Sequence, residues 1–142
     1  MTAKIEPYLF FNGRADEAIA FYAKAVGAKT LFRAAYKDAP QPMPKGSVPD
    51  GWDDKVMHAT LSIGGAELMV SDGNKKGGAT FEGFHLSLGL KTAAEADKAF
   101  AGLSEGGKVT MPIGKTFWSP KFGMLVDKFG VGWMVSVEEH KP

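Results

Sequence analysis

The chain has 142 residues, 44% hydrophobic and 23% charged, with 17 basic residues against 16 acidic ones, three histidines and no cysteine. That length makes one domain, and a chain of this size buries enough surface to fold without disulfides. Absent cysteine excludes thiol nucleophiles, CxxC redox chemistry, iron–sulfur clusters and cysteine zinc sites, while the near-zero charge argues against a nucleic-acid partner.

Residues 5–12 form an apolar run rich in aromatics, ended by Asn12-Gly13, and read as a strand. A helix is expected over 15–26: Ala18, Tyr22, Ala25 and Val26 recur at helical spacing, Asp16 and Glu17 sit in the first turn, and Gly27 stands at the stop position. Tyr8 is expected to pack under this helix. A strand over 29–37 follows. Residues 38–54 carry Pro40, Pro42, Pro44 and Pro49 with Gly46 and Gly51, a density that denies a ladder its donors and marks a long loop. Strands over 56–63 and 67–71, joined by Gly64-Gly65, read as a hairpin. Residues 72–78 are a glycine-rich connector. It holds Lys75 and Lys76 but lacks the spacing of a phosphate-binding loop, so it reads as a flexible linker.

The order then recurs. A strand over 84–90 precedes a helix over 93–104 with Ala96, Phe100 and Leu103 on one face, stopped by Gly106-Gly107. Strands follow over 108–113, 119–127 and 131–138. The expected fold class is α+β: two βαβββ repeats, about 4–72 and 83–138, in a single domain 1–142. Each helix would cover one face of a curved mixed sheet, leaving the opposite faces around a shared trough. The helix charges Asp16, Glu17, Lys24, Glu95, Asp97 and Lys98 read as a solvated face.

Alternation assigns side chains to faces. In 84–90 the apolar residues share one face, and His85, Ser87 and Gly89 share the other. In 56–63, Met57, Ala59, Leu61 and Ile63 fall together, opposite Val56, His58, Thr60 and Ser62. His85 and His58 are thereby expected in the trough, and His140 in the tail. The plainer reading of both trough histidines is a hydrogen-bonded residue in a semi-polar interior. For Phe117, Trp118, Phe122 and Trp133 it is core or dimer packing, although Phe117 and Trp118 flank a Ser-Pro bend suited to a ligand site.

The repeat is joined by particular motifs: Pro7-Tyr8-Leu9-Phe10-Phe11-Asn12-Gly13, Ala18-Ile19-Ala20-Phe21-Tyr22, Met57-His58-Ala59, Ser71-Asp72-Gly73 and Thr116-Phe117-Trp118-Ser119-Pro120-Lys121-Phe122-Gly123-Met124. Together they resemble the vicinal oxygen chelate superfamily of glyoxalases, extradiol dioxygenases and bleomycin-resistance proteins. The resemblance is to the PhnB-like branch, often labelled 3-demethylubiquinone 3-methyltransferase. It implies a homodimer and, in metal-using members, four ligands. These positions fall on Pro7, on Met69 or Val70, on His85 and on Met134. Only His85 has a donor suited to a hard divalent ion. Glu67 and Glu138 lie nearby but, by alternation, off the required face or near the strand end.

The function expected is therefore binding of a small apolar or aromatic ligand without the standard metal or any other cofactor. Candidate ligand-binding residues are His58, Met69, Ser87, Phe117, Trp118, Phe122 and Met134. The alternative is a glyoxalase- or dioxygenase-type enzyme in which His85 is catalytic, as a ligand to a divalent metal at a non-standard site or as general base. Methyl transfer lacks support in the residues, since no Gly-x-Gly-x-x-Gly turn is present. Sequestration of a cationic drug would favour an acidic excess that the chain lacks. No run approaches the ~20 apolar residues of a membrane span, and no signal peptide is visible. A soluble cytoplasmic protein is the expectation.

Overall fold

A computed structural model describes residues 1–138 as eight strands and two α-helices, with one order of elements given twice. The first unit, Met1–Ala79, holds β1 (Tyr8–Phe10), α1 (Ala15–Val26), β2 (Lys29–Ala35), β3 (Val56–Ile63) and β4 (Ala66–Ser71). The second, from Thr80 onward, holds β5 (Leu86–Leu90), α2 (Ala93–Ser104), β6 (Lys108–Gly114), β7 (Phe122–Val126) and β8 (Gly132–Val137). The sheets run β1-β4-β3-β2 and β5-β8-β7-β6. In each, the first strand lies parallel to the last while the other pairs are antiparallel, so the α+β class and the mixed sheets are as expected. His140 lies outside the described residues.

The repeat extends to irregularities that hydrophobic pattern does not encode. Thr30 pairs with Leu61 and Phe32 with Thr60, so Leu31 is one residue too many for the ladder. Val109 pairs with Leu125 and Met111 with Met124, which makes Thr110 the surplus residue at the equivalent place. Such bulges bend a strand and strengthen its twist.

Both helices keep their expected bounds. Gly27, at φ 67°, takes the left-handed conformation that stops α1, its N–H bonding back to Ala23 O. Thr92 caps α2, its hydroxyl oxygen accepting from Glu95 N at 3.1 Å. Five strands are shorter than expected, β1, β5 and β7 among them. Pro7 has no N–H, and Asn12 adopts φ 51° to start the turn into α1, so β1 keeps only Tyr8–Phe10 of the apolar run. β5 begins at Leu86, leaving His85 just ahead of it. β7 begins at Phe122 because Pro120 donates nothing and the Ser119 hydroxyl bonds the carbonyls of Lys121 and Val137.

In the first unit α1 covers the sheet face that carries Leu9, Val56, Ala59, Leu61 and Val70, and these pack with Ala15, Ala18 and Tyr22. In the second, Leu125, Trp133 and Val135 pack with Ala96, Phe100 and Leu103. Two buried carboxylates collect backbone donors, Asp72 between helix and sheet and Asp127 within the β7–β8 connection. Asp72 Oδ1 accepts from Gly13 N and Ala15 N at 2.9 and 2.8 Å, and Oδ2 accepts from Val56 N at 2.8 Å, fastening β4, the start of α1 and the start of β3 together. Asp127 accepts from Phe129 N, Val131 N and the Trp133 indole N–H. Trp133 is thus a hydrogen-bonded core residue, 2% exposed.

Candidate functional site: an aromatic cleft on the first unit

The face of the first sheet turned away from α1 is built by register. Tyr8 stands opposite Met69 and Phe10 opposite Ser71, while His58 and Thr60 follow on β3. Tyr8 therefore does not pack under the helix: in the alternation of β1 that side belongs to Leu9, and Tyr8 points the other way. Its ring stacks on Phe10, with centroids 4.9 Å apart and planes 14° from parallel. Its hydroxyl is hydrogen-bonded to His58 Nδ1 at 2.8 Å, and His58 Nε2 lies 3.2 Å from Thr60 Oγ1. His58 is hydrogen-bonded, as in the plainer reading, and it holds the Tyr8 phenol in place without itself lining the adjoining cleft.

These rings floor a cleft of about 610 Å³. Tyr8, Phe10 and Tyr36 supply its aromatic surface, and Met43, Val48 and Met57 its aliphatic surface. The polar lining is Asn12, Ser47, Ser71, Asn74 and Lys75, with Gly73 beside Phe10. Met57 corrects the expected alternation. Ala34 pairs with His58 but Ala35 pairs with Val56, so Met57 is an extra residue in the ladder. Val56 turns into the core while Met57 and His58 both face away from α1, which a strict period of two forbids.

Two loops complete the cleft. The proline-rich segment is closed at its base, where Tyr36 N donates to Lys55 O and Lys37 N to Asp53 O. Inside it Trp52, 5% exposed, packs against Tyr36 and over Gly13. The glycine-rich connector is pinned too: Asn12 Nδ2 donates to Gly77 O at 3.0 Å, Gly77 N donates to Asn12 O at 3.2 Å, and Gly73 N donates to the Ser71 hydroxyl at 2.9 Å. Burial pushes the Tyr8 and Tyr36 phenols above their ordinary value of 10.0, with the Ser71 hydroxyl opposing the shift in both. Both are neutral at physiological pH; the Tyr36 hydroxyl donates to Gly73 O.

The second unit has its own face turned from α2. Ser87 stands opposite Met134, Met134 opposite Met124, and Phe122 opposite Ser136. His85 precedes this face, its ring lying over Gly132, where a Cβ would stand 2.8 Å from Nε2. Phe117 is 97% exposed and Trp118 48% exposed. They form a chain of edge-to-face contacts: Phe117 to Trp118 at 4.6 Å and Trp118 to Phe122 at 5.2 Å. Of the candidates from sequence, His58 and Met69 therefore share the first unit's sheet with the cleft, whereas His85, Ser87, Met134, Phe122, Phe117 and Trp118 belong to the second unit. The cleft residues Phe10, Tyr36, Met43, Met57, Asn74 and Lys75 were not among the candidate ligand-binding residues.

The fold's standard divalent metal does not fit these side chains. The first-strand position assigned to Pro7 is corrected by the register, which puts Tyr8 opposite Met69; Val70 is buried on the helix side. In the second unit the residue opposite Met134 is Ser87, and His85 lies two residues before it. Two thioethers, a phenol and a hydroxyl make a poor donor set for a hard ion. Among the described residues, no three His, Asp or Glu side chains come together as a metal-holding group.

A profile of the family described as 3-demethylubiquinone-9 3-methyltransferase matches residues 3–136. The chain belongs to this family. It is 34% identical over 143 residues to protein YjdN of Escherichia coli, covering 97% of each chain. It is similar in structure to protein PA1353 of Pseudomonas aeruginosa, with TM-score 0.82 and 39% identity over 98% of this chain and 100% of that one. The PhnB protein of Bacillus cereus matches with TM-score 0.77 and 30% identity, covering 96% and 100%. A glyoxylase/bleomycin resistance protein/dioxygenase domain from Frankia shares the fold at 14% identity and TM-score 0.64, over 98% and 99%. The chain is thus PhnB-like, and it shares its fold with that glyoxylase/bleomycin resistance protein/dioxygenase domain. Among the described residues no helix is long and apolar enough to cross a membrane.

Proposed function

We propose that this PhnB-like protein binds a small aromatic or apolar molecule in the cleft of its first unit, without a divalent metal. One observation carries the reading. The cleft has the volume of a small-molecule site and is walled by stacked rings and thioethers, with a few polar groups at one side. Tyr8 and Phe10 form a ring stack against which an aromatic ligand can pack, and the Tyr8–His58–Thr60 hydrogen bonds keep that stack from rotating. The donor set described above supports metal-free binding. The proposal extends to a cytoplasmic homodimer, supported by apolar side chains such as Ile5, Leu31 and Phe117 that stand exposed on the single chain. Light scattering at micromolar concentration is expected to give twice the 15.2 kDa chain mass; a monomer overturns that part.

The test is calorimetric titration with a neutral bicyclic probe, 1-naphthylmethanol. One saturable site per chain is expected, weakened at least ~10-fold in Phe10→Ala, since a lost aromatic contact removes both buried area and ring–ring attraction. Phe10 is half-exposed, so the variant keeps its core. Phe117→Ala, in the other unit, should bind as the parent does. An absence of saturable binding, or binding untouched by Phe10→Ala, overturns the reading.

A further inference from the structure

The polar side chains of the cleft are not equivalent, and the difference says which end of a ligand they would meet. Most are already spent. The Tyr8 hydroxyl is engaged by His58, Tyr36 donates to Gly73 O, and Asn12 donates to Gly77 O. The Ser47 hydroxyl donates to Pro44 O at 2.6 Å, and the Ser71 hydroxyl accepts from Gly73 N. The buried Asp72 beneath them has both oxygens taken by three backbone N–H groups. The polar side chains of the lining that make no hydrogen bond are one adjacent pair, the Asn74 amide and the Lys75 ammonium, both exposed. Lys75 is the one charged side chain among the lining residues. The pair is carried by a short arch whose feet are fastened, at Gly73 by Ser71 and at Gly77 by the two bonds to Asn12. Gly73, at φ 71°, packs its open side against Phe10, which joins the arch to the ring floor.

Resting on the aromatic-ligand reading above, we infer that the ligand is an aromatic anion: its ring packs against the Tyr8–Phe10 stack, and its carboxylate or comparable oxyanion meets Lys75 and Asn74. A neutral apolar molecule would leave these two donors in water and gain nothing from them. A cation would face the ammonium across the rings. An oxyanion takes both donors at once, and charge-assisted hydrogen bonds are the stronger kind. The arch is preorganised, so ordering it on binding costs little.

Three bicyclic probes separate the possibilities: 1-naphthoate, 1-naphthylmethanol and 1-naphthylmethylammonium. Each is titrated into the full chain while the ring resonances of Tyr8 and Phe10 are followed by NMR. Naphthoate is expected to bind about three- to fivefold more tightly than the alcohol, the range open to an exposed charge pair, and the ammonium more weakly. Lys75→Gln should abolish the preference for naphthoate over the alcohol. Lys75→Glu should invert it in favour of the ammonium. The naphthoate preference should also shrink as salt is raised. Equal binding of naphthoate and the alcohol, or a preference that survives both variants, overturns the anion assignment while the aromatic cleft stands. Failure of all three probes to shift the Tyr8 and Phe10 rings overturns the cleft itself, and the anion assignment with it.

Discussion

Asp72 is the residue whose removal should cost this fold most for the fewest atoms. It is fully buried and its carboxylate accepts three backbone N–H bonds, from Gly13, Ala15 and Val56, at 2.8–2.9 Å. Arg14, the residue preceding α1, makes no side-chain cap, so Asp72 supplies the acceptor at that helix start from a distant strand. Asp72→Ala strands all three donors. Hydrogen bonds to a charged group contribute about 1.5–3 kcal/mol each, and losses within one network fall short of additive. A destabilisation of about 4 kcal/mol is therefore expected, against a total of about 5–15 kcal/mol for a domain. Asp72→Asn keeps an oxygen for Gly13 and Ala15 but turns an amide N–H towards that of Val56. It should cost about 2 kcal/mol, one charge-assisted bond. Urea unfolding followed by tryptophan fluorescence measures both, with an unchanged slope showing that the native state keeps its compactness. A loss below about 1 kcal/mol for Asp72→Ala, or equal losses for the two variants, refutes the reasoning, since an unsatisfied buried donor costs at least that much.

Trp133→Phe removes the indole N–H that reaches Asp127 Oδ2 at 2.9 Å and shrinks a ring that is 2% exposed. Urea unfolding should show a loss of about 2–3 kcal/mol, and a neutral result would place that bond outside the energetics. Because burial raises the phenols of Tyr8 and Tyr36, the unfolded chain loses these protons first. Their stabilisation is complete below pH 10 and falls away as pH climbs through the folded values, and Tyr36→Phe should flatten that decline. An identical slope in the variant would contradict the shift. Elemental analysis of protein purified without chelator should show no stoichiometric divalent metal; one ion per chain, lost on His85→Ala, would overturn the metal-free reading.

Where local periodicity governs, the sequence is sufficient: α1 and α2 keep the bounds that apolar spacing gives them, with Gly27 at the stop of α1. The repeat, too, is legible from Ala15-Asp16-Glu17-Ala18 and Ala93-Ala94-Glu95-Ala96. The candidate site is less so, for identifiable reasons. Tyr8 is displaced from its expected side because the strand is only three residues long, and the register to Met69, not the apolar run, decides its face. Met57 is hidden by a bulge that a period of two cannot express. Tyr36, Met43, Asn74 and Lys75 lie in segments without periodicity, where contacts distant in sequence decide position. One signal was available there. Trp52 is a lone large aromatic in a loop of proline and glycine, and such a residue marks the point where a loop is anchored to the body of the fold.

The surplus residue on β3 also bears on how this family changes over time. Val56 and Ala59 point into the core while Met57 and His58 between them do not. Deleting Met57 would restore an ordinary alternation without moving a single core side chain. An insertion or deletion of one residue at this place is thus nearly invisible to stability, yet it rewrites what a ligand touches. Roles assigned to relatives by counting along this strand hold only on one side of the bulge. Across it, equivalence has to be judged from the pairing of Ala34 with His58 and Ala35 with Val56.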